Sequence, residues 1–271
     1  MDRLIYTALA GINERRPQRQ VEANDLANVS TVGFKKSFDQ ALIAIKTRGD
    51  GYDTRIQPQS RTTDRINLEP GARMVTNKAL DIAMDNKTVM GVQAPNGELA
   101  FTRRGDLRVN NSGILENGQG HIVLSEEGTP INVPLGFQIT VTRDGTIVTK
   151  DPTVVGVAPN VEIAQILIRE AKDAFLVRRE DGLFKAIGEN VAENGDFESG
   201  EVVPSVTSGV LEGSNVNPIH AMINLIEHER DYESQVRFIK EAKTIDESGT
   251  TMMRNNEFLE EGYYGCIFIY F

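Results

Sequence analysis

Ala23-Asn24-Asp25-Leu26-Ala27-Asn28-Val29-Ser30-Thr31-Val32-Gly33-Phe34-Lys35, near the start of the chain, and Gly209-Val210-Leu211-Glu212-Gly213-Ser214-Asn215-Val216-Asn217-Pro218, near its end, decide the fold. The first closes an N-terminal helical segment, residues 1–34, and the second opens a C-terminal one, residues 209–253. Before the first, Ile5, Ala8, Ile12, Ala23 and Leu26 recur near one helical face. Pro17 interrupts a polar stretch, so this segment is either one kinked helix or two helices. Val32-Gly33-Phe34 reads as a turn, with Gly33 free to take positive φ and Phe34 as an apolar anchor.

After the second stretch, Asn217 is a favoured N-cap and Pro218 stands where a missing N–H costs nothing. Met222, Leu225, Tyr232, Val236 and Ile239 follow with 3, 7, 4 and 3 spacing, a heptad seam that Glu229 interrupts. From Pro218 to Thr251 such a helix runs roughly 50 Å at 1.5 Å per residue. One narrow apolar seam among charges seeks a helical partner, and the N-terminal helix near Ile5 to Ile12 is the expected one.

Between the ends lie strands and turns. Residues 35–65 read as a partly ordered connector. From Ile66 the pattern turns to β: Leu80-Asp81-Ile82-Ala83-Met84 alternates, Val89–Gln93 is a short strand, and Asn96-Gly97 is a two-residue hairpin signal. Arg104-Gly105-Asp106, Asn111-Ser112-Gly113, Asn117-Gly118, Glu127-Gly128 and Asp144-Gly145 mark further turns. Strands are expected over Gly120–Leu124, Ile139–Thr142 and Ile163–Ile168. The expected class is α+β: long paired terminal helices, coiled-coil-like, around a central antiparallel β-rich domain over 66–208, with an atypical tail at 254–271. Helices at both ends of a β-domain point to a filament or tube subunit.

Composition narrows the function. The 271 residues carry 39 acidic and 29 basic side chains, a net charge of −10, which argues against general nucleic-acid affinity. Cys266 is the single cysteine, so neither an internal disulfide nor a cysteine zinc cluster is available. The N-terminus lacks a basic stretch followed by an apolar run, so a cleaved secretory signal is not expected. No run approaches the roughly 18 apolar residues of a membrane span. His121, His220 and His228 form no metal-binding pattern, and neither a nucleophile elbow nor a phosphate loop occurs. No catalytic, metal or cofactor site is expected. Asn217 is read as a local cap. Asn24, Asn28 and Asn215 suit local turn chemistry and side-chain bridging between neighbouring subunits equally well.

These segments resemble the axial proteins of the bacterial flagellum, the rod and hook family. Residues 23–35 match the family's Ala-Asn-Asn-Leu-Ala-Asn-x-x-Thr-x-Gly-Phe-Lys pattern, with Asp25 replacing the second Asn. Ser214-Asn215-Val216-Asn217-Pro218 with Met222, Leu225, Arg230, Tyr232 and Glu233 resembles the family's end signature. Leu80-Asp81-Ile82-Ala83 and Phe101-Thr102-Arg103-Arg104-Gly105-Asp106-Leu107 resemble its shared β-domain. The opening residues and Met252-Met253 look most like the proximal rod members, with the distal rod members as rivals. The tail after Arg254 does not resemble the family. It holds six aromatics, Phe258, Tyr263, Tyr264, Phe268, Tyr270 and Phe271, and reads as an aggregation liability.

The resemblance implies a structural subunit of the periplasmic rod, exported by the flagellar type III apparatus without a cleaved signal. Its partners would be other rod subunits, in a helical hetero-oligomer that neither binds nucleic acid nor inserts in a membrane. The assembly surface would comprise Leu4, Ile5, Ala8, Ile12, Asn24, Leu26, Asn28, Gly33, Phe34, Asn215, Asn217, Pro218, Met222, Leu225, Tyr232, Val236 and Ile239. Two other classes stand beside it: a non-polymerising cap or interaction protein of the export system, and an enzyme built on the β-domain, which would need a concave pocket with convergent titratable groups.

Overall fold

The computed structural model describes residues 2–37, 41–46, 56–61, 65–150, 160–188 and 190–264, those of 2–8, 41–46, 56–61 and 254–264 as backbone only. In chain order, α1 (Asp2–Ala27) precedes β1 (Ala41–Lys46) and β2 (Ile56–Arg61). Then come β3 (Arg73–Val75), β4 (Ile82–Met84), β5 (Thr88–Gln93), β6 (Leu99–Thr102), β7 (Leu107–Val109), β8 (Leu115–Asn117) and β9 (Ile122–Val123). β10 (Gln138–Val141), β11 (Thr146–Lys150), β12 (Val161–Gln165), β13 (Ile168–Glu170), β14 (Phe175–Arg178) and β15 (Phe184–Ile187) follow. β16 (Val206–Ser208), β17 (Val210–Glu212) and α2 (Pro218–Tyr264) end the chain. The molecule is thus α+β, with a helix at each end of an antiparallel β-rich middle.

It divides into two units. One comprises residues 1–23, 40–61 and 222–271, and the other 24–39 and 62–221. The first holds most of both helices and the β1–β2 hairpin, paired from Ala41–Arg61 to Lys46–Ile56. This hairpin lies in the stretch read as a partly ordered connector. α1 runs as one element through Pro17. α2 continues past Thr251 to Tyr264, so the expected tail is helical over its first residues. Cys266 and the last five residues lie outside the described residues.

The second unit is built on a sheet ordered β14-β15-β6-β5-β9-β8-β7, with β13 also on β5, and a smaller sheet β10-β11-β12. β16 pairs with β4 and β17 with β3. Every pairing is antiparallel. β5 sits between neighbours and is buried along nearly its whole length, which its Val89, Met90 and Val92 suit. β15 alternates instead, Phe184 and Ala186 in, Lys185 and Ile187 out. One core gathers Ile82, Met84, Met90, Leu115, Ile131, Ile147 and Ile166. A second gathers Ile66, Val89, Phe101, Leu176 and Phe184, and Phe101 meets Phe197 edge-on at 4.9 Å.

One turn recurs seven times. In each, residue i donates its N–H to the carbonyl of i+4, and a glycine at i+3 with positive φ donates back to residue i. The glycines are Gly97, Gly113, Gly120, Gly128, Gly145, Gly182 and Gly195. These are three-residue loops with a left-handed third residue. The Asn96-Gly97 turn therefore has three residues, not two. The Asn117-Gly118 turn forms as expected, with Gly120 as its positive-φ residue. One other expected turn is corrected. Gly105 is needed for a close approach, since a Cβ there would fall 1.8 Å from the Ile82 carbonyl. Residues 81–84 are all buried rather than alternating.

Candidate functional site

The two quoted stretches meet inside the second unit. α1 ends at Ala27, and Asn28 closes the turn behind it: its Nδ2 donates to the Asn24 carbonyl at 2.9 Å and its Oδ1 accepts from Thr31 Oγ1 at 3.1 Å. Gly33 follows with φ of 70°, and a Cβ on it would fall 2.5 Å from the Arg104 backbone. Only glycine fits here, on both counts. Its N–H donates to the Glu212 carbonyl at 2.7 Å, joining the N-terminal motif to β17.

Phe34 lies under the Arg178 guanidinium, 4.4 Å from ring centre to Cζ. Arg178 also donates to the Lys35 carbonyl, and to Asn24 Oδ1 at 3.2 Å. Asn215 ties both stretches to a third: Lys36 N–H donates to its Oδ1 at 2.8 Å, and its Nδ2 donates to the Asn67 carbonyl at 2.9 Å. Asn217 caps α2, its Oδ1 accepting from the N–H of Ile219 at 3.0 Å and of His220 at 3.3 Å, with Pro218 as the first helical residue.

Beneath these contacts lies a buried ionic triad. Lys35, Arg103 and Glu212 have side chains 0%, 0% and 1% exposed. Glu212 Oε1 accepts from Lys35 Nζ at 2.7 Å and from the Gly71 N–H at 2.9 Å, and its Oε2 accepts from Arg103 Nε at 2.8 Å. Arg103 spends its remaining donors on the carbonyls of Asn86 at 2.7 Å and Met84 at 2.8 Å, and Lys35 donates again to the Glu69 carbonyl at 2.8 Å. Burial, and then the Arg103 charge, lowers the Lys35 ammonium from 10.5 to about 8 against the pull of Glu212. Burial also lowers the Arg103 guanidinium, again opposed by Glu212. Taking three charges out of water costs several kcal/mol per ion, so the triad is weak evidence for net stability. One side chain from each of three distant segments must be in place for any of the charges to be satisfied.

The seam residues belong to the first unit. There Arg15 pairs with Asp231, Arg19 with Glu229 at 3.1 Å, and Asn224 Nδ2 donates to Glu22 Oε1 at 3.1 Å. Numbers fall along α2 as they rise along α1, so the two helices run antiparallel. Ile12 and Tyr232 line one small cleft with Arg15, Arg19 and His228. Leu225, Val236 and Ile239 are half-buried, while Met222 and Tyr232 are 52% and 46% exposed. Leu26 is half-buried in the second unit. The side chains of Leu4, Ile5 and Ala8 lie outside the described residues. Sequence reasoning missed Lys35, Arg103, Arg178 and Glu212 as a group. Glu212 alone carries a local signal, a lone charge set among apolar and glycine neighbours in Val210-Leu211-Glu212-Gly213; Lys35, Arg103 and Arg178 each stand beside a second cation, Lys36, Arg104 and Arg179.

Two family models match: that of the C-terminal region of flagellar basal body rod FlgEFG proteins over residues 207–252, and the D1 domain of the flagellar hook protein FlgE/F/G over residues 83–149. The flagellar basal-body rod protein FlgF of Salmonella typhimurium is 36% identical over 250 residues, 92% of this chain and 96% of that protein. FlgF of Escherichia coli K12 is 35% identical over 88% of this chain and 93% of its own length. The chain belongs to the flagellar basal-body rod protein family. A rod protein of the other type, FlgG of Borreliella burgdorferi, is 27% identical over 89% of this chain and 94% of its own. Within this rod-family chain, Arg103 falls in the matched D1 region and Glu212, Asn215, Asn217 and the seam fall in the matched C-terminal region.

Proposed function

We propose that this chain is a structural subunit of the bacterial flagellar basal-body rod, placed in its proximal part like the FlgF proteins, and that it is not an enzyme. It leaves the cytoplasm through the flagellar type III apparatus. In the periplasm it joins other rod subunits in a helical tube through residues 1–34 and 209–253, including the seam and the asparagine turns named above. α1 and α2 pair along that seam as a short coiled coil.

One observation carries the assembly reading: α2 offers apolar surface that its own chain leaves open. At 100° per residue, Ile219, Ile223 and Ile226 fall on the side turned away from the α1-facing Asn224, His228, Asp231 and Gln235, and Ile245 and Met252 lie further along α2. These five are 45–75% exposed. α2 has 47 residues and α1 has 26, so roughly 20 residues of α2 have no length of α1 opposite them. A second apolar stripe on a helix that already has one partner is what a non-closing, heterologous contact requires.

The test is expression in a motile bacterium lacking its own proximal rod protein. Swimming should return, and the chain should co-purify with isolated basal bodies. A cysteine at Ile226 should cross-link to another rod subunit there. Completed rods with the chain left wholly in the soluble fraction would overturn the proposal.

A further inference from the structure

Glu170, at the end of β13, is 3% exposed, and its Oε2 has no hydrogen-bond partner among the described residues. Its backbone is held firmly: the N–H donates to Ser199 Oγ at 3.0 Å, and the carbonyl accepts from the Gly200 N–H at 3.1 Å. Gly200 exists as glycine because the carboxylate occupies its side-chain space, a Cβ there falling 1.9 Å from Oε2. Glu170 lines a cleft whose exposed rim carries Asp173, Glu198 and Glu201, with Phe175 and Ile187 38% and 51% exposed on its wall. Among the described residues, no Lys, Arg or His lines it.

A buried carboxylate with an unmade bond is costly, and a cation is what relieves it. A concave surface lined by one sign of charge concentrates that field outward, so the cleft attracts positive charge. Among the described residues no group of three or more His, Cys, Asp or Glu is placed to hold a metal ion, which disfavours a divalent cation. The wall favours a flat cation with an apolar stem: Arg65 already lies over the Phe175 ring at 5.6 Å. We propose that this acidic cleft is a docking site for an arginine side chain of a neighbouring rod subunit. The guanidinium enters over Asp173, Glu198 and Glu201 and meets the Glu170 charge from the cleft side. The source of the arginine rests on the rod-subunit reading; the site does not.

The full chain, labelled with nitrogen-15, is titrated with L-argininamide and, separately, with calcium chloride. Argininamide should shift the amides of residues 170, 173–175 and 198–201 saturably. The surface variant Glu198→Gln/Glu201→Gln should need about tenfold more. Glu170→Gln, which keeps the shape and removes the charge, should also weaken the response and raise Tm. Absent shifts, shifts equal in wild type and variants, saturation by calcium at lower concentration, or a lowered Tm for Glu170→Gln would each overturn the site. In cells, Glu198→Lys/Glu201→Lys should reduce swimming, and normal swimming would overturn the docking. If the wild-type chain itself fails to restore swimming while argininamide binds as expected, the rod reading fails and the site stands.

Discussion

Glu212 holds two buried cations, accepting from Lys35 Nζ and Arg103 Nε. Glu212→Gln removes the carboxylate paired with both, and should cost about 3–5 kcal/mol in urea unfolding followed by circular dichroism. Gly33→Ala meets backbone at 2.5 Å at a positive φ and should cost about 2 kcal/mol or more by the same measurement. Lys35 adds a pH dependence of defined sign. Its pKa is lowered from 10.5 to about 8, so between those values the unfolded chain binds the proton that the folded chain has released. Its contribution is therefore least favourable below about pH 8 and grows as pH rises toward 10.5. The stability of wild type minus that of Lys35→Met should increase from pH 7 to pH 10, and a flat or falling difference would sink the account.

α2 shows how a helix is specified at one end and left open along its length. Asn217→Ala removes the cap and should cost about 1 kcal/mol in the isolated chain. Leu225→Ala and Ile239→Ala remove seam residues that are only half-buried here, so in the monomer each should cost less than the roughly 2–5 kcal/mol of a fully buried leucine or isoleucine. Their effect on swimming should be larger than that monomer loss implies, if the seam is completed in the rod. Full motility of both variants would show that the seam does not hold the subunit in place. The repeated hairpin loop behaves differently, because Gly97, Gly120, Gly128 and Gly182 in it are required by φ alone. At Gly120 and Gly182 a Cβ meets nothing within 4 Å, so substitution there tests backbone strain free of packing.

The division into two units has a direct consequence. The β-rich unit closes on itself from Asn24 to Ala221 apart from the inserted hairpin, and the ionic triad lies wholly within it. A chain ending at Ala221 should keep the β spectrum and cooperative unfolding of this unit and lose incorporation into basal bodies. Loss of the β spectrum on that truncation would mean that the helices are needed for the fold. Removing residues 255–271 is a milder cut. It should leave or improve solubility and assembly, and loss of assembly with a folded monomer would instead make the end of α2 a docking element.

Much of this architecture was legible in local pattern. Asn217-Pro218 marks a helix start from capping chemistry alone, and the Asp-Gly and Asn-Gly pairs mark hairpins because few residues tolerate positive φ. The paired end motifs, Asn24 to Lys35 and Ser214 to Pro218, carried the family. What stayed hidden depends on partners far apart in the chain. Lys35 and Arg103 stand beside Lys36 and Arg104 with nothing local to mark them for burial, since burial of an ion is decided by which segments fold over it. Gly105 looked like a turn because its real constraint, the Ile82 carbonyl, lies on another strand. Pro17 left one kinked helix or two helices open, and α1 runs through it as one element, because a helix in a folded chain is held by more than the bond a proline removes. Local sequence sets backbone preference and periodicity; which charges are desolvated, and which apolar stripe still faces water, is set only when distant segments have packed.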